Sequence, residues 1–520
     1  MACPLLCSLR NHVELNYQNL PLVTKFLEGV IDLKRILIVG GSDAGISAAL
    51  RAREVYPIAG ITIVVADRYP SFNICGLPFH LSGEPVEWGT LAHRSGEEIE
   101  KMGIRLLLEH RARHIDLGAK TVEFRDRSGR TRLLPYDRLI LAAGAASAPH
   151  PPGTDLQGVF LLRSMDDALA MERYIARCHP KSAIIIGAGS VGIEMADALT
   201  RRGLSVTILV RSGKVLKTVD QRFQEIVRSE LGRNGVKLVD QVEVTAIEEQ
   251  QGSLFLRTAQ NVTIRGDLVL LATGSGPGND LARAAGIPVG IQGAIPVNRA
   301  METGVNEVYA AGDCVETWHR LLKRNVYLPL GATAHKQGRV AGENAAGGRA
   351  QFIGTLGTQS VRIFDMVVAR TGLRDSEARE AGFDPITAEM EALDHDAKCP
   401  GATPLRIRIT ADRRSHQLLG AQIVGHYYAG VSKRIDLFAT AISAEMSVDA
   451  MIDLDLSYSP PLSGTWDPVQ GAALEWIKGS LISRAPLLRT GLSSPRDDKA
   501  VMAEQPYGSG KTPGRLSFAV

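Results

Sequence analysis

Cysteine is scarce in this chain, with 6 in 520 residues, and aromatic residues make up 5%. So few thiols exclude a disulfide framework, and a reducing cytoplasm is the expected setting. No apolar run reaches about 18 residues, so no membrane span is expected. The formal net charge is +3, without a long basic run, and nothing points to a nucleic-acid partner. Residues 1–33 have neither a basic start nor a continuous apolar stretch, so a secretory signal is not expected and they read as an extension. Cys3 and Cys7 in that extension have no His or Cys companions at zinc spacing, and no metal site is expected. Against these absences stand 52 glycines and a 45% hydrophobic share, the composition of a glycine-rich α/β protein of several domains.

The glycines are concentrated where strands end. RILIVGGSDAGISAALRARE (35–54) runs from a β-branched strand through a glycine turn into a helix, and ITIVVAD (61–67) follows as a second strand. SAIIIGAGSVGIEMADALTRRG (182–203) and SVTILVR (205–211) repeat the pattern some 147 residues later. Each is a βαβ unit whose helix N-terminus is placed to hold a pyrophosphate. One glycine turn is weak evidence, since such turns also cap ordinary helices; two with their following strands are much stronger. Residues 136–153 and 267–280 each run from an apolar strand into an Ala/Gly turn, and 301–316 ends a strand in Gly312-Asp313. After about residue 350 the pattern becomes antiparallel strands and a helix. From Ser483 the chain is polar and rich in Pro, Gly and Ser, and is expected to be disordered.

The stretch SFNICGLPFHLSG (71–83) places Cys75 in a turn after the second strand, with no other cysteine within twenty residues. Together with the paired βαβ units and DLDLSYSPPLSGTWDP (453–468), it resembles the FAD-dependent pyridine nucleotide–disulfide oxidoreductases over residues 34–475. The likeness is greatest to the branch of coenzyme A disulfide reductases, NADH oxidases and NADH peroxidases, which use one active-site cysteine. The resemblance implies two Rossmann-like domains, one for FAD (34–152 and 270–348) and one for NAD(P)H (153–269). It adds a C-terminal α+β dimerisation domain (350–478) and a tail (483–520), and makes the protein a cytoplasmic homodimer.

It also implies a set of site residues. Gly40, Gly41, Ala44 and Gly45 approach the FAD pyrophosphate, with Ser42 at the place usual for the middle glycine. Asp67, beside Arg68, accepts from a ribose hydroxyl, Ala143 and Gly144 line the FAD, and Asp313 holds the ribityl chain unless it is an ordinary N-cap. Gly187, Gly189, Gly192 and Gly274 fit the nicotinamide dinucleotide, and Glu194 matches a glutamate near the nicotinamide unless it is a surface residue. An NAD site usually ends its second strand in an acid; here stands Arg211, with Lys217 beyond. Both can pair with a 2′-phosphate, so NADPH is expected before NADH, although surface Arg and Lys are common.

Dithiol relatives carry Cys-x4-Cys; His80 occupies the second place here. Cys75 is then either a structural thiol or, at a flavin-facing turn expected to be electropositive, a redox thiolate. In coenzyme A disulfide reductases two tyrosines of the other subunit face this cysteine. Tyr458 matches one, and Cys399, in HDAKCPGATP (395–404), stands where the other is expected. Cys399 is either a resolving thiol opposite Cys75 of the partner subunit or a small filler. Ser71, His335 and Trp466 are candidate substrate contacts, His335 alternatively having a structural role. Arg53-Glu54 replaces a pair of arginines that helps to bind the coenzyme A phosphate, and Asp43 replaces the histidine of NADH peroxidases. Cys178, before a strand, and Cys314, at an expected helix start, read as structural. The expected activity is NADPH-dependent reduction, through Cys75, of a small disulfide, a persulfide or a thiol-bound metal or metalloid species. The alternatives are an oxidase that passes electrons to oxygen and a reductase serving a protein acceptor.

Overall fold

The computed structural model describes residues 34–84 and 91–484. Cys3, Cys7 and residues 485–520 of the expected tail lie outside them. Ser483 and Arg484 do not begin the tail: they close the helix Pro468–Arg484.

Two five-stranded parallel sheets carry the two glycine turns. The first runs Val308–Ala310, Arg138–Leu141, Arg35–Val39, Gly60–Val64, Ile104–Leu107 across the sheet. The second runs Lys237–Asp240, Ser205–Val210, Ser182–Ile186, Leu268–Leu271, Val159–Phe160. Strands such as Leu268–Leu271 are apolar at every position because helices cover both faces of a parallel sheet. Each sheet is accompanied by a three-stranded antiparallel meander, His110–Pro135 in the first case and Val244–Gly266 in the second. The short strands Ala145–Ser147 and Ser275–Pro277 pair where the chain passes between the two sheets.

The third sheet is antiparallel throughout: Gln359–Ile363, Met366–Gly372, Leu418–His426, Pro404–Asp412, Pro385–Leu393. The helices Val431–Ser443 and Pro468–Arg484 pack on it, with Trp476 fully buried between sheet and helix.

One helix crossing is unusually close. A methyl on Gly338 of helix Gly331–Ala345 would lie 2.1 Å from the Ala44 carbonyl oxygen, and one on Gly342 would lie 2.0 Å from that of Ala48. Small residues four apart on both helices let the backbones touch, locking Gly331–Ala345 onto the first glycine-turn helix, Asp43–Val55.

Candidate active site

The two glycine turns are built alike. Gly40 and Gly187 have φ of 117° and 113°, a region closed to most side chains. A methyl on Gly45 would lie 1.9 Å from the Gly40 carbonyl oxygen, and one on Gly192 would lie 2.1 Å from that of Gly187. The helices that follow, Asp43–Val55 and Ser190–Arg201, begin at Ser42 and Gly189 without a side-chain cap. Their first N–H groups are therefore left for an anion, and nothing stands within 4 Å of where a Gly189 side chain would project.

The cysteine turn is tied to the first glycine turn and to the far end of the helix that follows the second. The Ser71 N–H donates to the Gly41 carbonyl (2.8 Å), and the short helix Leu77–Leu81 ends where Arg202 Nε donates to the Leu81 carbonyl (2.8 Å). Between these anchors Cys75 occupies a single 3₁₀ turn, Ile74–Gly76, and is exposed. The expected electropositive setting is absent. Protein packed behind the turn, together with the carboxylates of Glu194, Asp43 and Asp313, pushes the thiol above its ordinary value. Those acids come from three separate segments, which is why the local sequence did not disclose the sign of the field.

Burial, with Asp197 nearby, raises the Glu194 carboxyl to about 8, so it is neutral at pH 7 and is not a helix-surface charge. Burial and Asp43 raise Asp313 to about 6. No helix follows Asp313, so the N-cap alternative and the helix start expected at Cys314 both fail. Cys314 is buried, its Sγ donating to the Ala311 carbonyl (3.4 Å), and burial pushes its thiol up to about 11, consistent with a structural role. Burial likewise raises Asp67, whose Oδ1 accepts from the Tyr69 N–H (3.2 Å). Arg68 is exposed, 3.5 Å from Asp166. Ala143 and Gly144 lie at the end of Arg138–Leu141, where the Gly278 N–H donates to the Gly144 carbonyl (2.9 Å). Gly274 stands at the matching end of the second sheet with φ 101°.

Two family models match the chain: pyridine nucleotide-disulphide oxidoreductase over residues 34–338, and the dimerisation domain of the same proteins over 358–468. The chain belongs to the pyridine nucleotide-disulphide oxidoreductases. It is 35% identical to the NAD(P)H sulfur oxidoreductase (CoA-dependent) of Pyrococcus abyssi, covering 84% of this chain and 96% of the relative. Among solved structures, a NAD-dependent persulfide reductase from A. fulgidus superposes with a TM-score of 0.81 at 34% identity, over 86% of this chain and 83% of the other. The reduced CoADR-RHD of Bacillus anthracis does so with a TM-score of 0.82 at 31% identity, over 86% and 81%.

Membership makes the protein an FAD-dependent oxidoreductase using a nicotinamide nucleotide, and the residues present fit both groups. Beyond the uncapped helices, Tyr327 Oη is buried without a partner among the described residues, close enough to Asp313 to be influenced by its charge. No helix among those residues is long and apolar enough to cross a membrane.

The remaining expected residues of this oxidoreductase fall in three places. Arg211 and Lys217 follow the strand Ser205–Val210, both exposed, with no carboxylate within ion-pair distance among the described residues. Cys399, Tyr458 and Trp466 lie on two loops of the dimerisation domain, joined where the Asp396 N–H donates to the Pro460 carbonyl (3.2 Å). Cys399 is a half-buried free thiol, while Tyr458 and Trp466 are exposed. Ser71 is buried with φ 59°, and its backbone holds the cysteine turn, accepting also from the His93 N–H (2.8 Å). His335 meets Asp43, Ser47 and His93.

Two features escaped the sequence reading. One is the His335 cluster, whose members are far apart in the chain. The other is a buried node at Arg434, which donates to Asp467 Oδ2 (3.0 Å) and to the Asp394 carbonyl (2.8 Å), anchoring both dimerisation-domain loops. Arg53 also departs from expectation: it turns inward, donating to the carbonyls of Pro57 (2.5 Å) and Gly103 (2.6 Å).

Proposed function

We propose that the protein is a homodimeric, NADPH-dependent flavoprotein that reduces a sulfur–sulfur bond of a small substrate at Cys75. The observation that carries this reading is the exposed Cys75 turn, hydrogen-bonded on one side to the first glycine turn and on the other to the helix of the second. Bound FAD supplies the two-electron link between the nicotinamide and the cysteine sulfur. The chain's own part is positional. The helix N-termini bind the pyrophosphates, Asp67 accepts from a ribose hydroxyl, and Asp313 and Tyr327 hold the flavin side of the site. Neutral Glu194 faces the nicotinamide without repelling electron density there, and Cys75 attacks the substrate.

The names of the relatives support a disulfide or persulfide substrate. Within that class we favour a persulfide or small disulfide over coenzyme A disulfide. On helix Asp43–Val55, Arg51 is paired with Glu343 (2.8 Å) and Glu54 (2.8 Å), and Arg53 is buried, so neither cation is free for a nucleotide phosphate. NADPH is supported by Arg211 and Lys217, exposed cations without an ion-pair partner among the described residues, where a 2′-phosphate is expected. Cys399 of the partner subunit is the proposed resolving thiol, on a loop hydrogen-bonded to the one that carries Tyr458.

The test is NADPH oxidation by the holoenzyme with a glutathione persulfide, coenzyme A disulfide or oxygen as sole acceptor. The expected kcat/KM for the persulfide exceeds the other two at least tenfold; oxygen as the best acceptor would leave an oxidase in its place. Arg211→Gln is expected to raise the KM for NADPH about 10- to 100-fold, the range of a charge-assisted hydrogen bond, and to leave that for NADH unchanged. Equal effects on both nucleotides would remove the case for NADPH.

A further inference from the structure

A polar network borders the Cys75 turn, distinct from the residues assigned above to the nucleotides. The close crossing at Gly338 and Gly342 sets His335, one helical turn before Gly338, over the first turn of helix Asp43–Val55. There His335 Nε2 lies 3.2 Å from Asp43 Oδ1 and Nδ1 lies 2.7 Å from Ser47 Oγ. The exposed His93 ring stands edge-on to His335, with centroids 5.6 Å apart. The His93 backbone donates to the Ser71 carbonyl, so the network continues into the cysteine turn. Asp43 acts through space on the Cys75 thiol and on Asp313, so the network's charge is felt at the thiol.

We infer that the Asp43–His335 pair is the proton donor of the Cys75 site. This rests on the sulfur–sulfur reading above and adds the group that completes the exchange. The Cys75 thiol gives up its proton to water, and the thiolate attacks one sulfur of R–S–S–R′; a Cys75–S–S–R bond forms as the substrate bond breaks. The electron pair leaves on R′–S⁻, which takes the proton of the pair and departs as R′–SH. The pair regains a proton from water by way of exposed His93. No outside oxidant or reductant enters this step.

Three observations suit the role. Burial raises the Asp43 carboxyl while His335 and His93 oppose the rise, as for a carboxyl and imidazole that share a proton. The His335 side chain is 43% exposed, so substrate can reach it. Donor atoms of Asp43, His93 and His335 lie within 4.8 Å of one another, a spacing that a metal ion also uses. Both His335 ring nitrogens, however, already face protein oxygens, which is the arrangement of a proton relay.

The experiment separates this role from a structural one by the leaving group. Holoenzyme is reduced anaerobically, freed of excess NADPH, and mixed with either bis(2-hydroxyethyl) disulfide or 5,5′-dithiobis(2-nitrobenzoate); mixed-disulfide formation on Cys75 is timed by quenched-flow mass spectrometry. The alkyl thiolate needs a proton to leave, whereas the nitrobenzoate thiolate leaves readily without one. His335→Gln is expected to slow the alkyl reaction about 100-fold, and to slow it at least tenfold more than the aryl reaction. Asp43→Asn, nearly isosteric, is expected to shift the ratio in the same direction and serves if the first variant loses its flavin. Equal slowing of both disulfides, or slowing of neither, would overturn the inference. Wild-type enzyme that reacts with neither disulfide would instead overturn the sulfur–sulfur reading on which it rests.

Discussion

Glu194 is partly buried with Asp197 nearby, and its environment, not its position on a helix, sets its chemistry. Its carboxyl titrates at about 8 in the folded protein, whereas in the unfolded chain it ionises in the ordinary carboxylate range. Below that range both states are protonated and the residue makes stability independent of pH. Between it and about pH 8 only the unfolded state gives up the proton, so stability falls as pH rises. Glu194→Gln removes this dependence. The melting temperature of the variant is expected to gain on the wild type by several degrees between pH 5 and pH 8; a constant difference would contradict a neutral Glu194. Cys75 offers the matching lesson. Its place in a turn after the second strand was legible from SFNICGLP, but the acidic side chains around it were not, because Glu194, Asp43 and Asp313 converge only in the folded chain.

At the level of elements, the glycine turns were the most legible part, because strand, turn and helix lie within twenty residues of one another. The same spacing hides different jobs. A methyl at Gly192 would collide with the Gly187 carbonyl, whereas Gly189 faces open space at the helix N-terminus. Gly192→Ala is expected to lower stability by several kcal/mol, as overpacking does at its severe end. Gly189→Ala is expected to change stability by less than about 1 kcal/mol, to judge from the Gly-to-Ala range, yet to raise the KM for NADPH at least tenfold. Differential scanning calorimetry and initial rates check the two halves, and equal destabilisation would contradict the assignment of Gly189 to the nucleotide. The crossing at Gly338 and Gly342 was not legible, since its partners Ala44 and Ala48 lie nearly 300 residues earlier and small residues alone do not reveal what they touch. Nor were the two antiparallel meanders, whose strands mix exposed charges with few buried side chains.

Across the whole molecule, contacts from both nucleotide domains and from the third sheet reach the segment that carries Cys75. The third reaches the cysteine segment through Arg362, which pairs with Glu84 (2.9 Å) and stacks over Tyr427 with 4.5 Å to the ring centroid. It reaches the second glycine-turn helix through Asp197, which accepts from the Phe364 N–H (2.8 Å). Arg434 holds the loops that carry Cys399, Tyr458 and Trp466, and Tyr428 and Leu462 are 83% and 77% exposed, as in a dimerisation domain seen in a single chain. The order of these domains was readable because each begins with its own periodicity; their convergence on Cys75 was not, since it depends on contacts between distant segments. The most direct test of that convergence compares wild type with Cys75→Ser, following flavin bleaching by anaerobic NADPH and then NADPH oxidation driven by a persulfide or disulfide. Bleaching is expected to persist while sulfur-dependent turnover falls about 1000-fold or more, as removal of a nucleophile does. Turnover within tenfold of the wild type would contradict a Cys75-centred enzyme and leave a flavoprotein that passes electrons elsewhere.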